Sequence, residues 1–279
     1  MEIGIRISVF LGILLVMVMW ETLRPRRVFS QPGQSRKERW LTNLSLTVVN
    51  ALFARLTLGA ATVTVAVFAS THGIGLLNWL SIPAWAAAVV ALLALDFALY
   101  LQHVMFHAVP VLWRLHQVHH ADLGFDATTG LRFHPIEIVI SVGYKLAIVV
   151  LLGAPSWVVM TFEVLLNAAS IFNHGNVLIP ERIDAWLRWL LVTPDMHRIH
   201  HSTQIVEADS NFGFSVSCWD RLCGTYRPAP ALEQTEMEIG LSDYRAPLNL
   251  GRLLLLPFQA NAGRYTFAGS RPAKVIRKV

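Results

Sequence analysis

Two apolar runs, Ile136 to Leu152 and Ser156 to Phe172, are separated only by Gly153, Ala154 and Pro155. Glycine and proline at that junction signal a turn between helices. Each run reaches about 25 Å, so the pair forms a hairpin that barely crosses the ~30 Å hydrocarbon core of a bilayer and returns the chain to its starting side. Composition agrees with this reading. The 279 residues are 54% hydrophobic and only 15% charged, with a mean hydropathy of +0.49, too little polar residue to solvate an ordinary globular surface.

The other apolar segments fit the same frame. Ile5 to Trp20 resembles a signal peptide, but no small-residue cleavage site follows and the basic flank Arg24, Arg26, Arg27 is on the wrong side, so residues 5–20 read as a retained first span. Residues 41–101 hold the second and third spans. Leu41 to Ser70 is interrupted by Arg55, which fits either one span with a snorkelling arginine or an interfacial helix followed by a short span. From Ala84, after Pro83, a clearer helix runs beyond Leu101 and delivers His103 to a membrane face.

Six basic residues between Glu21 and Trp40 (Arg24, Arg26, Arg27, Arg36, Lys37 and Arg39) place that loop in the cytoplasm. Counting crossings from it puts residues 102–135, a first histidine region, on the same side. The hairpin then occupies 136–173, and 174–279 form a polar cap ending in the basic tail Arg271, Lys274, Arg277 and Lys278. Leu250 to Phe258 is too short to cross and reads as interfacial or packed on the cap. The expected fold is therefore all-α: a multi-pass membrane helical bundle, one integral membrane domain over residues 1–279, with a cytoplasmic histidine-rich cap. A net charge of +5 and a pI near 9.6 suit a membrane surface better than nucleic acid, because much of the basic excess lies beside apolar segments. Cys218 and Cys223 match no zinc or disulfide pattern and read as packing residues.

Of eleven histidines, ten lie between His103 and His201, where even scatter would put about four. His103 and His107 stand at i and i+4 on one helical face; His116, His119 and His120 give H-x-x-H-H, and His197, His200 and His201 repeat that spacing. Burying eight or more imidazoles without a shared partner would cost ~1 to 3 kcal/mol for each unsatisfied group, and metal coordination removes that cost. With His134 and His174 the set suffices for two metal ions, an arrangement suited to oxygen activation, although imidazole alone does not distinguish zinc, copper, iron and nickel. The isolated His72 reads as a core or capping residue.

The stretch Asp96, Tyr100, His103, His107 and Leu112-Trp113-Arg114-Leu115-His116-Gln117-Val118-His119-His120 resembles the fatty acid hydroxylase and sterol desaturase superfamily. Thr129-Gly130-Leu131-Arg132-Phe133-His134-Pro135-Ile136-Glu137, Asn173-His174-Gly175-Asn176 and Thr193-Pro194-Asp195-Met196-His197-Arg198-Ile199-His200-His201-Ser202 continue the likeness in order. So do Asp209-Ser210-Asn211-Phe212-Gly213 and Trp219-Asp220-Arg221-Leu222-Cys223-Gly224-Thr225-Tyr226, so that the resemblance covers roughly residues 90–228. Val104 stands where many members carry arginine, and Ala121 where serine commonly follows the second histidine set; neither departure removes a ligand.

The resemblance implies two iron ions held by the histidines, oxygen as co-substrate, and electrons from a separate electron-transfer protein, since the chain has no room for a fused reductase domain. The implied reaction is oxidation of an unactivated C–H bond of a lipid, by hydroxylation or, as an alternative, desaturation. The implied setting is a cell inner membrane with the histidines facing the cytoplasm. A non-redox membrane metal-binding or transport protein is the competing class; it would line a path with ligands rather than gather them at helix ends. Asp96 is a candidate to orient a ligand imidazole, with Asp195, Glu137 and Asn211 as further candidates. Arg132 and Tyr144 are candidate head-group contacts or interfacial anchors, and Trp219-Asp220-Arg221 reads as an ion-paired turn closing the cap.

Overall fold

The fold comes from a computed structural model that describes residues 2–29, 33–58 and 61–259. The basic tail lies outside the described residues. Among them there are helices and isolated bridges but no strand. In chain order the helices are α1 (Glu2–Leu23), α2 (Arg36–Leu58), α3 (Ala61–Thr71), α4 (Leu76–Trp79), α5 (Ala84–Ala108), α6 (Pro110–His120), α7 (Pro135–Leu152) and α8 (Ser156–Asn173). The cap adds α9 (Glu181–Leu187), α10 (Pro194–His200), α11 (Ile205–Ala208), α12 (Cys218–Leu222) and α13 (Leu250–Leu255).

Five segments are long and apolar enough to cross a membrane: Gly4–Leu23, Arg36–Trp79, Ala84–Ala108, Pro135–Leu152 and Ser156–Asn173. The chain is thus an all-helical, multi-pass membrane bundle. The segment that sequence left open, Leu41 to Ser70, is split between α2 and α3, and Arg55 is exposed in the last turn of α2. The hairpin α7–α8 begins and ends within one residue of its apolar runs. Its turn is made by Gly153 in the left-handed region (φ 66), where only glycine is unstrained. Gly75 packs against the same point; a Cβ there would meet the Gly153 nitrogen at 2.2 Å. These two glycines let α4 close the end of the bundle remote from the cap.

The core between the spanning helices is apolar, with Leu95, Leu99, Val158, Val159 and Phe162 buried together. Outward faces stay hydrophobic: Leu11, Leu15, Leu52, Val89 and Leu165 are exposed, as suits contact with lipid rather than water. Exposed Trp79, Trp85 and Trp157 stand at the helix ends remote from the cap, where indole rings anchor a helix at a bilayer interface. Within the bundle, Glu163 of α8 accepts from both Lys145 of α7 and Arg6 of α1, and also from Thr62 of α3 at 3.2 Å. One carboxylate therefore joins four helices.

The cap docks on the bundle through the basic loop. The main chain of that loop pairs with residues 176–178: Arg26 N donates to Asn176 O and Leu178 N to Arg24 O. Arg39 is fully buried against Asp122 and Asp126, Arg36 pairs with Glu21, and Arg26 with Asp195. Hence the basic loop and the histidine-bearing helix ends lie on the same side. Residues 250–258 fold as α13 and a 3-10 turn, Leu256–Phe258, packed through Leu253 and Leu256 onto Leu46, Val118 and Ala121. They belong to the cap rather than to the lipid interface.

Three expectations are corrected. Arg132 and Tyr144 are not head-group contacts: Arg132 is buried inside the cap, and Tyr144 packs against the bundle core. Asp220 is no ion-pair partner of Arg221; it accepts from the backbone of Phe212 and Gly213 and from Thr225, while Arg221 lies over the rings of Tyr226 and Trp189. Cys223 is exposed rather than packed, whereas His72 caps the end of α3 in keeping with its reading, its Nδ1 donating to Phe68 O at 2.9 Å. The Glu163 junction yields a stability test. Glu163→Leu removes the carboxylate shared by two cations and is expected to cost about 3 kcal/mol, with Glu163→Gln losing less; thermal unfolding in detergent of the two variants beside wild type checks the order.

Candidate metal centre

Helix ends deliver the histidines. α5 carries His103 and His107 on one face of its last turns, and Pro110 starts α6 at once, so that His116, His119 and His120 fold back over them. α8 ends beside His174, and Thr193 caps the short α10, which presents His197 and His200 before His201 at its end. The result is two adjacent groups. His103, His107, His116, His120 and His200 form one, and His119, His174, His197 and His201 the other; within each group one nitrogen of every ring lies within 4.8 Å of all the others. The groups touch, with ring centroids of His120 and His201 4.5 Å apart and those of His116 and His119 5.1 Å apart.

Five of the nine rings are oriented from behind. Nδ1 of His103 donates to Phe212 O at 2.8 Å, that of His119 to Arg132 O at 3.2 Å, that of His174 to Ser170 O at 2.7 Å and that of His200 to Ser210 O at 2.9 Å. His116 Nδ1 donates to Glu137 Oε1 at 2.6 Å. A neutral imidazole has one N–H, so once Nδ1 has spent it the Nε2 atom carries a lone pair. Yet Nε2 of His103 lies 3.1 Å from Nε2 of His116, and Nε2 of His119 lies 3.1 Å from Nε2 of His174. Two lone pairs at that distance repel and cannot hydrogen-bond.

A shared cation resolves the conflict. With imidazole nitrogens at about 2.1 Å, neighbouring ligands stand about 3.0 Å apart in an octahedron and about 3.4 Å in a tetrahedron. The observed 3.1 Å spacing falls within this range. Nε2 of His200 and both nitrogens of His201 are likewise buried with no hydrogen-bond partner among the described residues. The donor set therefore fits metal ions, five imidazoles for one and four for the other.

Electrostatics favour the ligand form of these rings. Burial pushes His116 down to about 3 and His174 down to about 4. Burial, and then neighbouring imidazoles, holds His119, His120, His197, His200 and His201 well below the usual histidine range. Protonation would cost the desolvation of a cation, so each ring keeps its lone pair at neutral pH. Asp209, 3.7 Å from His107 Nδ1, is pushed up to about 7 by burial.

Nine of the ten histidines marked in the sequence converge; His134 does not. It caps α7, its Nδ1 accepting from Ile136 N at 3.2 Å and its Nε2 donating to Leu254 O at 3.2 Å. With both nitrogens committed it has no lone pair for an ion. Asp96 does not orient His103. Seven residues put it about 10.5 Å away along the helix, and it accepts instead from the Trp219 indole at 2.8 Å. Asp195 holds the basic loop and α10 through Arg26 and Arg198.

Asn211 acts through its neighbours. It sits in the left-handed region (φ 56) with its side chain fixed to Met196 O, Arg227 O and Arg227 N. The turn it makes aims the flanking carbonyls of Ser210 and Phe212 at His200 and His103. Glu137, a weaker sequence candidate, is the carboxylate that orients a clustered ring. The role of Arg132 escaped sequence reasoning: its guanidinium donates to Val118 O and Ala121 O and so fixes the end of α6, while its own carbonyl takes the His119 proton. At Gly130 a Cβ would meet Ser170 O at 2.6 Å and His174 Nδ1 at 3.0 Å, so only glycine admits that approach.

Two spaces reach the five-histidine group. An apolar cavity of about 350 Å³ within the bundle touches His103 and His116 and is walled by Phe10, Leu99, Phe106, Val142 and Leu166. A more polar cleft of about 540 Å³ on the cap touches His107 and His120 beside Trp113, Gln117, Thr203 and Tyr244.

Comparison with known proteins gives the same chemistry a family. The Fatty acid hydroxylase family model matches residues 88–225. The ornithine lipid hydroxylase OlsE of Rhizobium tropici is 30% identical over 188 residues, 67% of this chain and 55% of that protein. The alkylglycerol monooxygenase of Xenopus tropicalis is 29% identical over 49% of this chain and 29% of its own length, and human cholesterol 25-hydroxylase is 28% identical over 50% of each chain. The chain thus spans about half the length, or less, of these relatives. No solved structure matches. The matched region contains all nine converging histidines together with Glu137, Arg132 and Asn211, and with these residues the chain belongs to the fatty acid hydroxylase and sterol desaturase superfamily.

Proposed function

We propose that this protein is a di-iron membrane oxygenase that hydroxylates a C–H bond of a lipid. The observation that carries the reading is the opposition of lone pairs, two nitrogens facing each other at 3.1 Å in each histidine group with their protons already committed elsewhere. Buried nitrogen donors in two adjacent sets, beside an apolar cavity, suit metal-assisted oxidation of a hydrocarbon. The names of the relatives, hydroxylases and monooxygenases of ornithine lipid, alkylglycerol and cholesterol, point to lipid hydroxylation.

When bound, two irons with dioxygen and two electrons supply an oxidant for an unactivated C–H bond, with one oxygen atom going to the product and one to water. The protein's own contribution is placement. Carbonyls of Phe212, Arg132, Ser170 and Ser210, with the Glu137 carboxylate, hold the imidazoles as neutral ligands. Phe10, Leu99, Phe106 and Leu166 exclude water from the His103 and His116 side and align a hydrocarbon chain there. The cleft at His107 and His120 connects the other side of the same group with the aqueous cap surface.

The basic loop and the histidines share a side, which by the positive-inside rule supports a cytoplasmic centre. Reductant then comes from a separate electron-transfer protein there. Desaturation is the second reading, since the same site serves both outcomes.

Two measurements test the proposal. Purified wild type is expected to hold about two irons per chain by elemental analysis; His119→Ala and His200→Ala lose at least half, whereas His134→Ala keeps its iron and loses only stability. Wild type without iron overturns the reading. Lipids from cells with and without the gene, grown under labelled oxygen, are expected to differ by one labelled oxygen atom; a loss of two hydrogens selects desaturation instead.

A further inference from the structure

The apolar cavity is also lined by polar side chains with atoms that the metal centre leaves unpaired. Asn50 of α2, Gln102 of α5 and Glu137 of α7 all line it close to His103 and His116, and they are only 6%, 7% and 2% exposed. Each leaves hydrogen-bonding capacity unspent. Asn50 donates through Nδ2 to Phe133 O at 2.8 Å, which fixes the amide so that Oδ1 has no partner among the described residues. Glu137 gives Oε1 to His116, and its Oε2 is buried without a hydrogen bond. The His134 amide faces the same carboxyl but closes no bond of normal geometry with Oε2. Gln102 makes no hydrogen bond to any described residue, although it sits next to His103.

Unmet buried polar atoms cost ~1 to 3 kcal/mol each, and two of them sharing a cavity with an unbonded amide are a built feature rather than a packing defect. Their chemistry is specific. Asn50 Oδ1 is an acceptor that calls for a donor, the free Glu137 carboxyl oxygen accepts or, when protonated, donates, and the primary amide of Gln102 does both. A hydroxyl group is complementary to such a set, since it supplies one O–H and two lone pairs. An ammonium offers no acceptor for the Gln102 amide protons, and a ketone or ester offers no donor for Asn50 Oδ1.

We propose that Asn50, Gln102 and Glu137 bind a hydroxyl group of the lipid substrate, which places the carbons beside that hydroxyl against the His103 and His116 side of the metal centre. This rests on the lipid-hydroxylase reading and narrows its substrate to lipid alcohols. Asn50 and Gln102 are specificity-determining residues, and Glu137 joins the substrate to His116.

The test is a binding measurement that needs no turnover. Tritiated 1-O-hexadecylglycerol and its di-O-methyl ether are titrated, without oxygen or reductant, onto the full chain in nanodiscs. Wild type, Gln102→Met and Asn50→Leu are compared, with iron content and melting temperature recorded for each. Wild type is expected to bind the diol at least about tenfold more tightly than the ether. Gln102→Met is expected to reduce that ratio to about twofold or less while its melting temperature holds or rises, because no internal hydrogen bond is lost. Asn50→Leu lowers the ratio as well, at some cost in stability from the freed Phe133 carbonyl. Equal binding of diol and ether by wild type, or a preference that survives both substitutions, overturns the proposal. A wild type that prefers the diol yet holds no iron sinks the di-iron reading and leaves the hydroxyl site standing.

Discussion

Lone-pair repulsion among buried imidazoles is the constraint around which the rest of this structure is arranged. Nine rings face inward, and five of them turn their one proton to an acceptor on the opposite side. Most of these proton acceptors are main-chain carbonyls, at Ser170, Arg132, Ser210 and Phe212, so backbone geometry and side-chain chemistry cannot be separated here. The left-handed turn at Asn211 exists to aim two of those carbonyls, and Asp220 holds the turn from below through the amides of Phe212 and Gly213. Arg132 does the same for α6 by gripping its last carbonyls.

The bundle and the cap meet this constraint with different means. Spanning helices gain their stability from apolar contact and from the single carboxylate of Glu163 shared between α1, α3, α7 and α8. The cap instead relies on buried polar networks. Arg39, Asp122, Asp126, Asn43 and Arg132 pair charges and share hydrogen bonds in a region with almost no exposure. A network of this kind specifies one arrangement, because each half-made pairing leaves a buried charge uncompensated. Rigid supports of this sort hold the histidines at fixed spacing from three separate stretches of chain.

Much of this was legible in the residues. The hairpin, the first span, and the triplets at His116 and His197 follow from helical period, length and turn chemistry, which act locally. His174 was legible only as a surplus histidine, and its place in the four-membered group depends on α8 ending where α10 passes. His134 shows the limit from the other direction. Its position in a shared segment suggested a ligand, but the start of α7 and the Leu254 carbonyl, 120 residues away, claim both of its nitrogens. Asp96 shares a helix with His103 but stands too far along its axis to reach that ring, a distance that the likeness of the segment does not reveal. The partners of Asn50 and Gln102 were invisible because an unpaired polar group is a property of the packed cavity, not of any window of sequence.

The docking of the loop between α1 and α2 has a consequence for how topology can be studied. Basic residues beside a span bear on the direction of insertion, and in this loop Arg26, Arg36 and Arg39 are also locked to Asp195, Glu21, Asp122 and Asp126 in the folded chain. Removing them to reverse the direction of insertion would also unlatch the histidine-bearing cap. Charge-swap mutants of this loop therefore break tertiary locks at the same time as they change the charge beside the spans.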